Sequence, residues 1–256
     1  MAWDPAQYMK FADHRLRPAV DLLNRIDAEP AEIYDLGAGA GNVTRLLKER
    51  WPSARVTGVD ASREMLAKAA AGAPDIVWEP ADLKTWRPSR PADLIYSNAA
   101  LHWLGDHDRL FPALLAALAP GGVLAVQMPR NFSAPSHTAI AEAARSGPWR
   151  ARLEPLLRDA PVADPGVYFS LLAPRAAALD IWEIEYLQVL NGEHPVKEWT
   201  KGTWLKPLLD ALDEPERGRF EACYAELVAR AYPRHKDGRT LFPFRRLFIV
   251  ATARPA

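Results

Sequence analysis

The stretch Ile33-Tyr34-Asp35-Leu36-Gly37-Ala38-Gly39-Ala40-Gly41-Asn42-Val43-Thr44 restricts the fold more than any other part of the chain. It reads as a buried strand that runs into a glycine turn and opens a helix. Glycines at 37, 39 and 41 carry no Cβ, so the backbone can take angles that side chains forbid and a ligand can touch the main chain. The first N–H groups of the following helix have no partner inside it and point at whatever occupies the turn. Such a unit implies an α/β fold with a ligand cradle at the end of its first strand.

Spacing narrows the ligand. A dinucleotide fingerprint is G-x-G-x-x-G, its third glycine packing helix on strand. Here the third glycine arrives one position early, Asn42 stands in its place, and Asp35 precedes the first glycine by two residues. The pattern D-L-G-x-G-x-G at the end of a first strand resembles the S-adenosylmethionine loop of the class I methyltransferases. A purely structural glycine turn is the plain alternative, and the acids downstream weigh against it. Arg55-Val56-Thr57-Gly58-Val59-Asp60 reads as a second buried strand, and its terminal acid is placed to accept from both ribose hydroxyls. That supports a nucleoside without choosing between NAD and S-adenosylmethionine. Ile76 to Glu79 is a short third strand followed by Pro80-Ala81-Asp82-Leu83. An Asp followed by an apolar residue here resembles the methyltransferases' adenine clamp, in which the carboxylate takes the exocyclic amine and the next N–H meets the ring. One Asp in a loop means little, but Asp35, Asp60 and Asp82 close three successive strands.

The rest of the chain follows the same alternation. Trp3, Tyr8, Phe11 and Arg15 precede the first strand, the last three on one helical face; they form either an apolar docking face or a lid over the cofactor. Proline is favoured at a helix start, which predicts a helix from Pro18 to Ile26. Ser62 reads as the N-cap of a helix over Arg63 to Ala70. Asp93 to Asn98 is strand four, running into Ala99-Ala100-Leu101-His102-Trp103-Leu104; the switch point of the sheet then falls between strands one and four, and Asn98 to Trp103 face the ligand. His102 is equally a hydrogen-bond donor to substrate or a packed histidine. After a helix from about Asp108 to Leu118 and the turn Pro120-Gly121-Gly122, Val123 to Met128 is strand five. Ile181 to Gln188 alternates as an edge strand does, and Leu247 to Ala251 is the final apolar strand.

Between these strands lie helical, proline-punctuated stretches at about 130–175 and 192–240, placed to shape a substrate pocket. The expectation is one domain over residues 1–256, a doubly wound, seven-stranded, mostly parallel sheet with helical insertions capping the active site and residues 1–16 as a lid. If the last strand is antiparallel, its beginning lies on the ligand side, which brings up Arg230, Arg234, Lys236, Arg239, Arg245 and Arg246 against only Asp237. That basic stretch is a substrate-anion site or a solvated loop.

Matching stretches run nearly end to end: Trp3-Asp4-Pro5 with Tyr8, Arg17 to Leu23, the Asp35 loop, Gly58-Val59-Asp60, Glu79 to Asp82, Leu94 to Ala99, Val123 to Pro129 and Arg246 to Ala251. On these the chain resembles the trans-aconitate 2-methyltransferase family; His102, where the family pattern has glutamine, and Phe244-Arg245 depart from it. The resemblance implies methyl esterification of one carboxylate of a small tricarboxylate, with S-adenosyl-L-homocysteine as the other product; the single cysteine and a start, Met1-Ala2-Trp3-Asp4, without a basic stretch and apolar run lead to the expectation of a cytoplasmic protein, a monomer or small homo-oligomer. It implies a cofactor site of Tyr8, Arg15, Asp35, Gly37, Ala38, Gly39, Asp60, Ala61, Asp82, Leu83 and Asn98. The substrate candidates are His102, Trp103, Arg130, Trp204, Arg245 and Arg246. A carboxylate is already ionised at neutral pH, so no general base is expected, and no metal cluster is evident.

Other classes are separable. A nicotinamide oxidoreductase would use the same strand-loop-acid logic but lacks the fingerprint spacing; a non-catalytic S-adenosylmethionine binder would show no methyl transfer; another small carboxylic acid could replace the tricarboxylate. Lys and Arg (32) balance Asp and Glu (32), which disfavours nucleic acid and membrane surfaces as partners. The single cysteine, Cys223, excludes an internal disulfide, and no run of about 18 apolar residues could span a bilayer.

Overall fold

The computed structural model describes residues 12–255. They form two compact units, one built mainly of Leu16–Pro129, Pro161–Ile184 and Arg246–Ala256, the other of Arg130–Ala160 and Glu185–Arg245.

The first unit is organised on β1 (Glu32–Leu36), all five of whose residues are buried. It pairs in parallel with β2 (Arg55–Asp60) on one side and β4 (Ala92–Asn98) on the other. β2 carries β3 (Val77–Pro80), and β4 carries β5 (Leu118–Pro129), again in parallel. β7 (Thr240–Ala253) lies antiparallel to β5, and the seven strands run 3-2-1-4-5-7-6 with β6 (Ala176–Leu190) at the edge. The doubly wound, mostly parallel sheet expected from the sequence is present, with its switch point between β1 and β4. Gly58 makes room for β3, since a Cβ there would lie 2.4 Å from the Trp78 ring.

Helices cover the sheet: α1 (Ala12–Asn24), α2 (Asn42–Arg50), α3 (Arg63–Gly72) and α4 (His107–Ala116). The Ser62 hydroxyl caps α3 by accepting from the Met65 amide at 3.3 Å, as its sequence position suggests. Pro18 does not start its helix but lies inside it. A proline forfeits one i→i−4 hydrogen bond, and α1 carries that loss while burying Ala19, Leu22 and Leu23. The turn at Pro120 to Gly122 likewise does not precede β5. Ala92 pairs with Leu118 and Leu94 with Val123, so residues 119–122 bulge out of a strand already begun, with Gly121 at φ 77°.

The helical unit contains α5 (Pro135–Ser146), α6 (Arg150–Leu153), α8 (Pro195–Lys201), α9 (Lys206–Asp210) and α10 (Glu216–Ala231). Its own core joins Ile140, Trp149, Leu153, Trp199, Phe220, Tyr224, Phe242 and Phe244. The remaining helix, α7 (Pro165–Leu172), sits in the sheet unit although the sequence places it in the same insertion as α5. Tyr168 anchors it there, packing on Phe111 at 4.8 Å and bonding His107 at 2.7 Å. Among the described residues, no helix is long and apolar enough to cross a membrane.

Candidate active site

The three loop glycines do different work. Gly37 (φ 82°) lets the loop approach the segment after β4, because a Cβ on it would meet the Ala100 Cβ at 2.1 Å. Gly41 (φ 77°) makes the same allowance for Trp78, at 2.5 Å. Gly39 (φ 55°) has only Met65 Cε near it, at 3.9 Å, and its empty face is the one a ligand can use. The amides of Gly37 and Ala38 both donate to the Val59 carbonyl, at 2.8 and 3.0 Å, which ties the loop to β2.

The acids at the strand ends then divide by role. Asp60 accepts from the Gly39 amide at 2.9 Å through Oδ2 and from the Ser62 amide at 2.8 Å through Oδ1. A carboxylate oxygen has two lone pairs, so the orientation is fixed and one acceptor site per oxygen remains for vicinal hydroxyls. Asp35 is buried and accepts from the Thr44 hydroxyl at 2.6 Å, joining β1 to α2. Burial raises its carboxyl to about 7, opposed by the Thr44 bond and assisted by the charge of Asp60. Asp82 is exposed and accepts from the Lys84 amide at 3.0 Å, and the Leu83 side chain reaches the Gly37 face of the loop. Ala61, exposed between Asp60 and Ser62, lies beside this cradle. Tyr8 lies outside the described residues, as does the Arg15 side chain.

A second polar group lies at the ends of β4, β5 and β7. Asn98 is the register partner of Gln127, and the Ala99 amide donates to the Gln127 carbonyl at 2.9 Å. Ala99 takes φ 52°, a left-handed conformation that an alanine adopts only under constraint. Asn98 Oδ1 and Gln127 Nε2 are buried and meet no hydrogen-bond partner among the described residues. Arg246, 4% exposed, donates through Nη1 to Gln127 Oε1 at 3.5 Å. An orphaned acceptor, an orphaned donor and a buried cation on adjacent strands form a polar wall that packing alone would not build. Gln127 was absent from the sequence candidates; the signal is a glutamine within the apolar run Val123 to Met128.

His102 and Trp103 lie in the single turn Leu101–Trp103 after β4, their rings 4.6 Å apart. Behind them His107 donates from Nε2 to the Leu101 carbonyl at 3.0 Å, which leaves Nδ1 to accept from the Tyr168 hydroxyl at 2.7 Å. Burial lowers the pKa of His107, so the ring is held as a neutral brace.

In the helical unit the Arg130 amide donates to the Arg245 carbonyl at 3.0 Å, and Asn131 Oδ1 accepts from the Arg245 amide at 2.9 Å. Strand alternation turns Arg245 outward, exposed and 3.8 Å from Glu185, while its neighbour Arg246 points in. The basic stretch before the last strand is mostly solvated surface with partners of its own: Arg230 faces Glu226 at 3.8 Å and Arg239 faces Asp237 at 2.6 Å. Only Arg246 of that series is buried. Trp204 packs edge-on to Phe132 at 4.9 Å. Among the described residues, no cluster of His, Cys, Asp and Glu could hold a metal.

The fold and the glycine cradle define a methyltransferase domain, and the family described as "Methyltransferase domain" matches residues 8–175. Within that class the chain belongs to the trans-aconitate 2-methyltransferase family. It is 50% identical over 250 residues to the trans-aconitate 2-methyltransferase of Azoarcus sp. (strain BH72), covering 97% of this chain and 98% of that protein. It is 49% identical over 257 residues to that of Pseudomonas aeruginosa strain PAO1, covering 98% of this chain and 94% of the other. Among solved structures, the YcgJ protein from Bacillus subtilis shares the fold at a TM-score of 0.59 and 14% identity, over 95% of this chain and 100% of its own. The Haemonchus contortus phosphoethanolamine N-methyltransferase 2, in complex with phosphomonomethylethanolamine and S-adenosylhomocysteine, does so at 0.55 and 15%, over 94% of this chain and 53% of its own.

Proposed function

We propose that this protein esterifies one carboxylate of trans-aconitate with the methyl group of S-adenosylmethionine. The observation that carries the reading is the buried wall of Gln127 and Arg246, with donors at the ends of β5 and β7 suited to an anion. The cradle fits the cofactor: the open face of Gly39 leaves room for it, Asp60 keeps acceptor sites for the ribose hydroxyls, and the Asp82-Leu83 pair suits the adenine. Asn98 Oδ1 is an acceptor at the methionine end. Residues 1–16 with Tyr8 and Arg15 are proposed as a lid.

When bound, the cofactor supplies an electrophilic methyl on a sulfonium; a carboxylate oxygen bonds to that carbon while the carbon–sulfur pair stays on sulfur. The acceptor is ionised at neutral pH, so no proton moves. What this chain contributes is alignment for in-line attack and exclusion of water around two opposite charges. The Arg246 fork holds a carboxylate that does not react, and Gln127 Nε2–H adds a second donor. Within the sheet unit, His102 and Trp103 remain proposed acceptor contacts; Arg130, Trp204 and Arg245 belong to the helical unit, where Arg245 faces Glu185.

Incubation with labelled methyl donor and a panel of di- and tricarboxylates tests the proposal. Label appearing in a base-labile ester of trans-aconitate is expected. Transfer to none of the acids would leave a cofactor-binding protein, and preference for another acid would reassign the substrate.

A further inference from the structure

The loop after β3 is fastened by a hydrogen bond to which neither the glycine cradle nor the acceptor wall gives a role. Glu79, in β3, and Trp86 bracket the proposed adenine pair Asp82 and Leu83, and all four belong to the sheet unit. The Trp86 indole donates from Nε1 to Glu79 Oε1 at 3.1 Å. An indole N–H only donates, so the direction of this bond is fixed. Trp86 is 4% exposed in a stretch whose neighbours Thr85 and Arg87 are exposed, and its ring meets that of Tyr34 on β1 at 5.2 Å. A buried indole needs an acceptor, which any carbonyl could supply; a carboxylate makes the bond roughly twice as strong.

Trp86 is bonded in turn to Asp82. The Asp82 carbonyl accepts from the Trp86 amide at 2.9 Å and from the Thr85 amide at 3.1 Å, and Asp82 Oδ1 accepts from the Lys84 amide at 3.0 Å. On the other side the Ala81 amide donates to the Asp60 carbonyl at 3.1 Å, and the Leu83 side chain reaches Gly37. The carboxylate and amide that would read the base therefore move with Trp86. Packing on Tyr34 sets how deep the indole sits, because apolar contact is non-directional. The bond to Glu79 sets its rotation, because a hydrogen bond weakens steeply with angle.

We propose that Glu79 and Trp86 are positioning residues for the base of the cofactor. They hold Asp82 and the Leu83 amide in register with the adenine edge, and so set the preference for adenine over a purine with a carbonyl at position 6. This rests on the assignment of Asp82 and Leu83 to the adenine.

Calorimetric binding of S-adenosylhomocysteine and S-inosylhomocysteine tests it. Inosine carries an oxygen in place of the exocyclic amine and a proton on the adjacent ring nitrogen, so Asp82 loses its donor and the Leu83 amide its acceptor. The wild type is expected to bind the inosyl compound about tenfold or more weakly. Trp86→Phe keeps a ring beside Tyr34 without the N–H, and Glu79→Ala removes the acceptor from a half-buried side chain. In both, adenosyl affinity should fall about tenfold while inosyl affinity stays within about threefold, which erases most of the discrimination. Glu79→Gln keeps an acceptor oxygen at the same reach and should retain the wild-type ratio. An unchanged ratio in Glu79→Ala would overturn the inference, whether both affinities hold or both fall together as a packing role requires. Loss of the ratio in Glu79→Gln as complete as in Glu79→Ala would trace the effect to the charge rather than to the indole bond, and overturn it too. If Trp86→Phe does not fold, Glu79→Ala decides alone. A wild type that binds both compounds equally would remove the adenine assignment and this inference with it, whereas a discriminating wild type with an indifferent Glu79→Ala removes this inference alone.

Discussion

Replacing Gln127 by leucine should move stability and activity in opposite directions. In the free protein Nε2 is a buried donor without a partner among the described residues, and Oε1 accepts one long hydrogen bond, 3.5 Å, from Arg246. An orphaned buried donor costs about 1–3 kcal/mol, and the Arg246 bond that the substitution removes, charge-assisted but stretched to 3.5 Å, lies below the about 1.5–3 kcal/mol of a well-formed one. Leucine is close in volume and leaves no polar atom, so the net change is a stabilisation of about 1 kcal/mol, or a Tm rise of about 2–4 °C for a chain of this size. The acceptor meanwhile loses a charge-assisted hydrogen bond worth about 1.5–3 kcal/mol, which raises its KM about tenfold or more. Thermal unfolding and steady-state kinetics, with trans-aconitate varied at saturating S-adenosylmethionine, measure the two effects independently. A Tm that falls with activity would show that Gln127 holds the strand ends together. A Tm that rises with KM unchanged would show that the orphaned donor does not meet the acid.

Four further outcomes follow from the same geometry. Arg246→Lys keeps the charge but loses the planar fork, so acceptor KM should rise about tenfold with cofactor affinity fixed; wild-type kinetics would place the anion elsewhere. Asp60→Ala should cost about 1–3 kcal/mol of S-adenosylmethionine binding by calorimetry and also lower Tm, since both its oxygens anchor loop amides. Asp35 has a folded-state pKa raised from 3.8 to about 7, so its contribution to stability is complete below the lower value and lost as pH rises through the higher. Asp35→Asn should remove that slope, worth at most about 4 kcal/mol, and chemical denaturation from pH 4 to pH 8 would show parallel curves if the reading is wrong. Deleting residues 1–12 should leave a folded protein that binds S-adenosylmethionine weakly; an unfolded product would make the segment core.

The parts of the fold legible in the sequence are those whose local pattern and tertiary role agree. β1 and β2 are apolar runs closed by acids because both are buried on two faces, and the Ser62 cap needs only its own helix. Where tertiary contacts override local preference, the pattern misleads. Pro18 reads as a start, yet the buried face of α1 carries the helix through it. The turn at Pro120 is absorbed as a bulge because β4 continues to pair on both sides of it. α7 looks like part of the cap, but the Tyr168–His107 bond spans 61 residues and has no local signature. The basic stretch misleads for a related reason: charge is visible in sequence, but the partners Glu226, Asp237 and Glu185, and the alternation that separates Arg245 from Arg246, are not.

Several departures from ordinary packing rules in this chain suit the chemistry of methyl transfer. Transfer of a methyl from a sulfonium to a carboxylate cancels two charges, so the transition state is less polar than the separated reactants. Fixed charges beside the reacting atoms would hold the ground state and slow the step. The titratable groups are arranged accordingly. Burial brings Asp35 toward neutrality at pH 7 and lowers His107, leaving its ring uncharged. The cation kept inside, Arg246, stands on β7 with an amide side chain as its neighbour. The anion left at the loop, Asp60, has both oxygens held by backbone amides. Orphaned atoms on Asn98 and Gln127 cost stability in the free protein. Orphaned polar atoms at the ends of two adjacent strands, beside the left-handed Ala99, single out this end of the sheet as the candidate site.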